Sequence, residues 1–193
     1  MQTYQDLPQN LPRPADDGRA RHLPGHRLPS IALTATDGVE HDLSARPGRT
    51  VLYIYPKTGV PGQPLPDGWD AIPGARGCTP EACAFRDHFA ELKTAGANAV
   101  FGLSTQSTAY QRELRDRLHL PFEILSDASL AFTQALRLPS FEVDGETLLN
   151  RITLVIDNGI VTHVFYPVFP PDAHAEEVRD WLRANPASKG SVA

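Results

Sequence analysis

The chain has 193 residues, 41% of them hydrophobic and 21% charged, with a formal net charge of −5, which fits one ordinary globular domain with a sizeable core. Mild acidity without a Lys/Arg run argues against nucleic acid as a partner, and no block of like charge suggests an interaction tail. Apolar runs such as Val51–Tyr55 are far too short to span a bilayer, and Met1–Asp6 lacks the basic start and apolar stretch of a signal peptide, so a cytoplasmic address is the default expectation.

Residues 1–24 are rich in proline and polar side chains without an apolar period, which reads as an extended N-terminal arm ahead of a domain over 25–185 and a flexible tail over 186–193. Ser30–Thr36 and Val39–Leu43 flank Asp37-Gly38 and predict a β-hairpin. Thr50–Tyr55, an unbroken apolar, β-branched and aromatic run stopped by Pro56, predicts a buried central strand. From Lys57 to Gly77 the chain is too dense in Pro and Gly for regular structure, and a loop of this length inside a domain is usually functional or mobile. Trp69 and Ile72 are the residues placed to pin it down.

Thr79-Pro80 reads as cap and first turn of a helix, with Ala82, Phe85, Phe89 and Leu92 on its buried face and Glu81, Arg86, Asp87 and Glu91 on its wet one. Further along come a strand over Ala97–Leu103 and a helix carrying Tyr110, Leu114 and Leu118. A brief strand (Phe122–Leu125) and a short helix (Leu130–Leu136) follow. A second hairpin (Arg151–Ile156 and Ile160–Phe165) turns at Asp157–Gly159, and a last helix capped by Asp172 presents Ala175, Val178 and Leu182 inward. Strands alternating with helices and closing on an antiparallel pair predict an α/β sheet covered by helices.

Both cysteines lie in Gly77-Cys78-Thr79-Pro80-Glu81-Ala82-Cys83. At a helix N-terminus the free N–H groups and the dipole favour thiolate, which makes Cys78 a candidate nucleophile. Five helical residues apart, Cys78 and Cys83 would stand about 8.6 Å from each other at Cα. That is beyond the roughly 7 Å reach of a disulfide, so a bond between them requires the first helical turns to unwind. Structural zinc wants four ligands, which leaves a zinc half-site as a weak alternative. Inert packing of the two thiols is the plainer one.

Tyr55-Pro56-Lys57, Gly77-Cys-Thr-Pro-Glu-Ala-Cys83, Phe85-Arg86-Asp87 and the strand opening at Arg151 together resemble the peroxiredoxins, in particular the peroxiredoxin Q (bacterioferritin comigratory protein) branch. The resemblance implies a thioredoxin-like fold with a central mixed sheet. It also implies a thiol peroxidase that reduces hydrogen peroxide and organic hydroperoxides without metal or prosthetic group. Cys78 is then the peroxidatic cysteine, Cys83 the resolving cysteine in an intramolecular disulfide, and Arg151 the arginine that orients thiolate and peroxide. Thioredoxin or a glutaredoxin would serve as reductant, and resolution within one chain points to a monomer. The family places a proline seven residues, and a Thr or Ser three residues, before the peroxidatic cysteine. Those positions here are Ala71 and Ala75. With the insertion bulging outward, Thr58 is expected to supply the missing hydroxyl. A general thiol–disulfide oxidoreductase and a non-enzymatic redox sensor using the same disulfide are the alternatives.

Overall fold

A computed structural model describes residues 7–187; residues 1–6 of the expected arm and 188–193 of the expected tail lie outside the described residues. The Asp37-Gly38 turn joins β1 (Ala32–Ala35) to β2 (Glu40–Asp42), and the apolar run before Pro56 forms β3 (Arg49–Ile54). The cysteine segment forms α1 (Cys78–Asp87), which breaks at His88 before α2 (Phe89–Thr94). Next come β4 (Ala99–Ser104), α3 (Thr108–Leu118), β5 (Ile124–Ser126) and α4 (Ala131–Leu136). A small separate hairpin of β6 (Ser140–Val143) and β7 (Glu146–Leu149) precedes the last pair, β8 (Ile152–Asp157) and β9 (Ile160–Phe165), and α5 (His174–Ala184).

Seven strands make one mixed sheet in the order β2-β1-β5-β4-β3-β8-β9, with β3, β4 and β5 parallel and β8 antiparallel to β3. Every residue of β3 is buried because both faces of the sheet are covered. Val51, Tyr53 and Tyr55 point to the side that holds Phe85, Leu114 and Leu182, whereas Leu52 and Ile54 meet Leu33, Phe132 and Leu154 on the other. Stacking of Tyr53 on Phe85, at 4.3 Å between ring centroids and 10° between planes, fastens α1 to the central strand. Among the described residues no helix is long and apolar enough to cross a membrane.

Several local expectations are revised. The described part of the N-terminal arm lies along the molecule: Ala20 and Leu23 are buried in the second core, and Arg19 Nη1 donates to the Ser140 carbonyl at 2.8 Å. The cap of α1 is Gly77, at φ 104°, and the helix begins at Cys78, which moves Pro80 to the third helical position. Glu81, expected on the wet face, is fully buried. Asp172 sits inside a 3-10 turn (Pro171–Ala173) one residue ahead of the observed cap, Ala173. The Pro/Gly-rich loop contains only a 3-10 turn at Trp69–Ala71. There Trp69 packs with Ala75 and Leu148, joined by Leu65, Ile72 and Phe141.

Gly77 sets the direction from which Cys78 enters its helix. A Cβ at this residue would meet Pro171 Cγ at 2.4 Å and Leu7 Cδ2 at 2.9 Å, on a backbone already in the left-handed region. Gly77→Ala is therefore expected to cost about 1–3 kcal/mol. The urea midpoint should fall at unchanged slope, and a midpoint equal to wild type would show that this contact does not constrain the helix start.

Candidate active site

Cys78 opens α1 behind the C-terminal end of β3, and Arg151 lies just before β8, the antiparallel neighbour of β3. The sheet thus delivers the two side chains to one point. Arg151 Nη2 lies 3.2 Å from Cys78 Sγ, and its Nη1 donates to Glu81 Oε2. Nη2 also points at the carbonyls of Gly74, Ala75 and Arg76, at 3.2–3.4 Å, so one guanidinium ties β8, the first turn of α1 and the end of the long loop together. All three side chains are buried.

The electrostatics differ from those expected of a bare helix N-terminus. Burial pushes the Cys78 thiol up, and the Glu81 carboxylate adds to the rise; the Arg151 charge and the Lys57 backbone N–H pull it down without cancelling the burial. The thiol in this closed pocket is therefore harder to ionise than a free one. Ala75, standing where the family has a hydroxyl, offers only its carbonyl, which accepts from Cys78 Sγ at 3.4 Å. An acceptor at that point favours the S–H form. Burial also pushes the Glu81 carboxyl up, against the pull of Arg151 and His174.

Thr58 is buried and lines the same small cavity as Cys78. Its hydroxyl donates to Gln106 Oε1 at 3.1 Å, leaving the oxygen lone pairs free to accept an incoming O–H. Gln106 also accepts from the Thr58 N–H (3.0 Å) and donates to the Thr58 carbonyl (3.2 Å), which takes a further bond from Tyr110 Oη at 2.8 Å. This clamp fixes the turn from which the Lys57 N–H faces the sulfur. Sequence reasoning missed Glu81, Gln106 and the Lys57 N–H. Only Glu81 left a trace, as a carboxylate four residues before the core residue Phe85 and three after Cys78.

Cys83 is half-buried in α1, five residues from Cys78, and both thiols are free. Burial pushes its thiol up and Arg86 beside it pulls the other way. Among the described residues no cluster of three or more His, Cys, Asp or Glu side chains is placed to hold a metal ion.

Because Glu81 and Arg151 act on Cys78 with opposite sign, their replacements should move its ionisation in opposite directions. In a Cys83→Ser background, Glu81→Gln should shift the pH midpoint of iodoacetamide alkylation at Cys78 downward and Arg151→Met upward. Midpoints that move the same way would refute this reading of the pocket.

Residues 23–180 match the family model described as Redoxin. The chain is 33% identical over 189 residues to the chloroplastic peroxiredoxin Q of Oryza sativa subsp. japonica, covering 94% of this chain and 79% of the relative. It is 34% identical over 151 residues to the chloroplastic peroxiredoxin Q of Triticum aestivum, covering 77% and 61%. Among solved structures it is similar to peroxidoxin BcpB from Mycobacterium tuberculosis, with a TM-score of 0.67 at 28% identity over 84% of this chain and 97% of that one. Xanthomonas campestris peroxiredoxin Q shares the fold, with a TM-score of 0.64 at 23% identity over 82% and 95%. The helix-flanked mixed sheet is thus the thioredoxin-like arrangement expected from the motifs. Across most of its length this chain belongs to the redoxin family, and within it to the peroxiredoxins of the Q branch.

Proposed function

We propose that the protein reduces hydroperoxides, hydrogen peroxide or an organic one, through a sulfenic acid at Cys78 that Cys83 resolves. The observation that carries this reading is the 3.2 Å contact between Arg151 Nη2 and Cys78 Sγ at the start of a helix that also holds the second thiol. The Cys78 thiolate attacks the terminal peroxide oxygen and the O–O bond breaks. The departing oxygen leaves as alkoxide or hydroxide, takes a proton and becomes alcohol or water, while the sulfur is oxidised to sulfenic acid. Arg151 and the Lys57 N–H supply preorganised positive charge where negative charge develops. The Thr58 oxygen accepts from the peroxide O–H and orients it.

The Cys83 thiolate then displaces hydroxide from the sulfenic sulfur, which leaves as water, and the two sulfurs form a disulfide. An external dithiol, thioredoxin or a glutaredoxin, returns two electrons by exchange. No second copy is needed, so the working unit is a monomer, and its compartment is a reducing one, with the cytoplasm as the expected address. Within a continuous helix the two Cα atoms stand about 8.6 Å apart, so oxidation must unwind part of α1.

A coupled assay that follows NADPH loss with thioredoxin, thioredoxin reductase and hydrogen peroxide tests the cycle. Cys78→Ser should abolish turnover, Cys83→Ser should stop after one equivalent, and Thr58→Val should lower kcat/KM about tenfold. Turnover that survives Cys78→Ser ends this reading. Non-reducing mass spectrometry after one equivalent of peroxide should show loss of two hydrogens and a Cys78–Cys83 cross-link. Hydrogen exchange should show protection over residues 78–86 falling on oxidation, and equal protection in both states would contradict the unwinding.

A further inference from the structure

The cavity at Cys78 encloses only about 10 Å³. A single water needs roughly 10–15 Å³ on this measure, and a peroxide, with two oxygens, about twice that. Immediately outside lies a groove of about 420 Å³ along the Pro-rich loop, wide enough for a bulky ligand. The two spaces share Lys57, Thr58, Gly59 and Leu65, so these residues form the partition between the groove and the sulfur.

Three of the four are tied down. Lys57 Nζ is bridged to Glu146 at 2.5 Å, Thr58 is clamped by Gln106 and Tyr110, and the Gly59 carbonyl accepts from Arg117 Nη2 at 3.4 Å. Leu65 has no polar tie through its side chain and is half-buried against Trp69, Ala75 and Leu148. Prolines at 64 and 66 stiffen its backbone. What can yield is the isobutyl group, by rotamer change, and how far it yields limits the width of the opening.

Resting on the peroxidase reading, we infer that Leu65 is the specificity-determining residue of the reaction: it admits hydrogen peroxide to Cys78 and holds back branched and aryl hydroperoxides in the outer groove. Hydrogen peroxide requires the nook to grow by about one further water volume. A cumyl group attached to the departing oxygen requires the partition itself to be displaced.

Second-order rate constants for oxidation of the reduced protein by hydrogen peroxide and by cumene hydroperoxide, measured in single-turnover mixing, test the inference. Wild type should favour hydrogen peroxide. Leu65→Ala should raise the cumene constant relative to the hydrogen peroxide constant by about tenfold, and Leu65→Phe should lower that ratio. Either variant suffices if the other fails to fold, as judged by its melting temperature. A ratio unchanged in a folded variant, or one equal for the two oxidants in wild type, overturns the role of Leu65. Absence of reaction with both oxidants in wild type instead overturns the peroxidase reading itself.

Discussion

A buried guanidinium organises this protein. Arg151 is out of water, and removing such a cation from solvent costs several kcal/mol unless its partners replace the lost hydration. The replacements come from two adjoining stretches of chain: the Glu81 carboxylate and the Cys78 sulfur from the first turn of α1, and the Gly74, Ala75 and Arg76 carbonyls from the end of the long loop. Once β8 pairs with β3, the cation has a fixed place, and helix and loop assemble around it. One positive charge then faces two potential anions. Glu81 takes one guanidinium nitrogen and Cys78 the other, and burial pushes both groups up against the pull of Arg151.

In the same pocket Ala75 stands where the family places a hydroxyl, three residues before Cys78. Ala75 offers only a carbonyl that accepts a hydrogen bond from the Cys78 S–H, an arrangement that favours the thiol. The Lys57–Thr58 turn supplies the Lys57 N–H and the Thr58 oxygen, and the Gln106 amide clamps Thr58. Activation is then coupled to opening. Any displacement that lets water or peroxide reach the sulfur weakens the burial that opposes ionisation, while Arg151 and the N–H remain in place to favour it. The insertion, anchored through Trp69, supplies Leu65 to the lining of the Cys78 cavity.

Much of the scaffold was legible because it obeys a period. The run at β3, the two glycine-turn hairpins and the Ala175, Val178, Leu182 stripe of α5 follow from alternation or helical spacing alone, and all three α5 residues are fully buried. Failures occurred where a contact distant in sequence overrides local preference. Glu81 looks solvated until Arg151 arrives from seventy residues away to neutralise it. Gly77 displaces Thr79 as cap because the chain must turn sharply against Pro171. The β6–β7 hairpin carries its own signal in Phe141–Leu149, an alternating stretch around Asp144-Gly145, yet it pairs outside the main sheet and serves chiefly to cover Trp69. The helix end that favours the Cys78 thiolate is local in sequence, whereas the burial that opposes it depends on residues brought in by the loop.

In the proposed cycle two anchors define what α1 has to release. Its first turn is held by the Arg151–Glu81 pair, and breaking a buried pair of this kind costs about 3–5 kcal/mol. Its middle is held by Phe85 against Tyr53, where exposing a phenyl ring costs about 1.5–3 kcal/mol. Cys83 lies between them, half-buried, and its end of the helix is the less firmly held. The break at His88 separates that end from α2, so residues 83–87 can leave the helix without moving Leu92 out of the core. Within the proposed cycle, Cys83 is therefore the sulfur expected to travel, toward a Cys78 that stays beside Arg151.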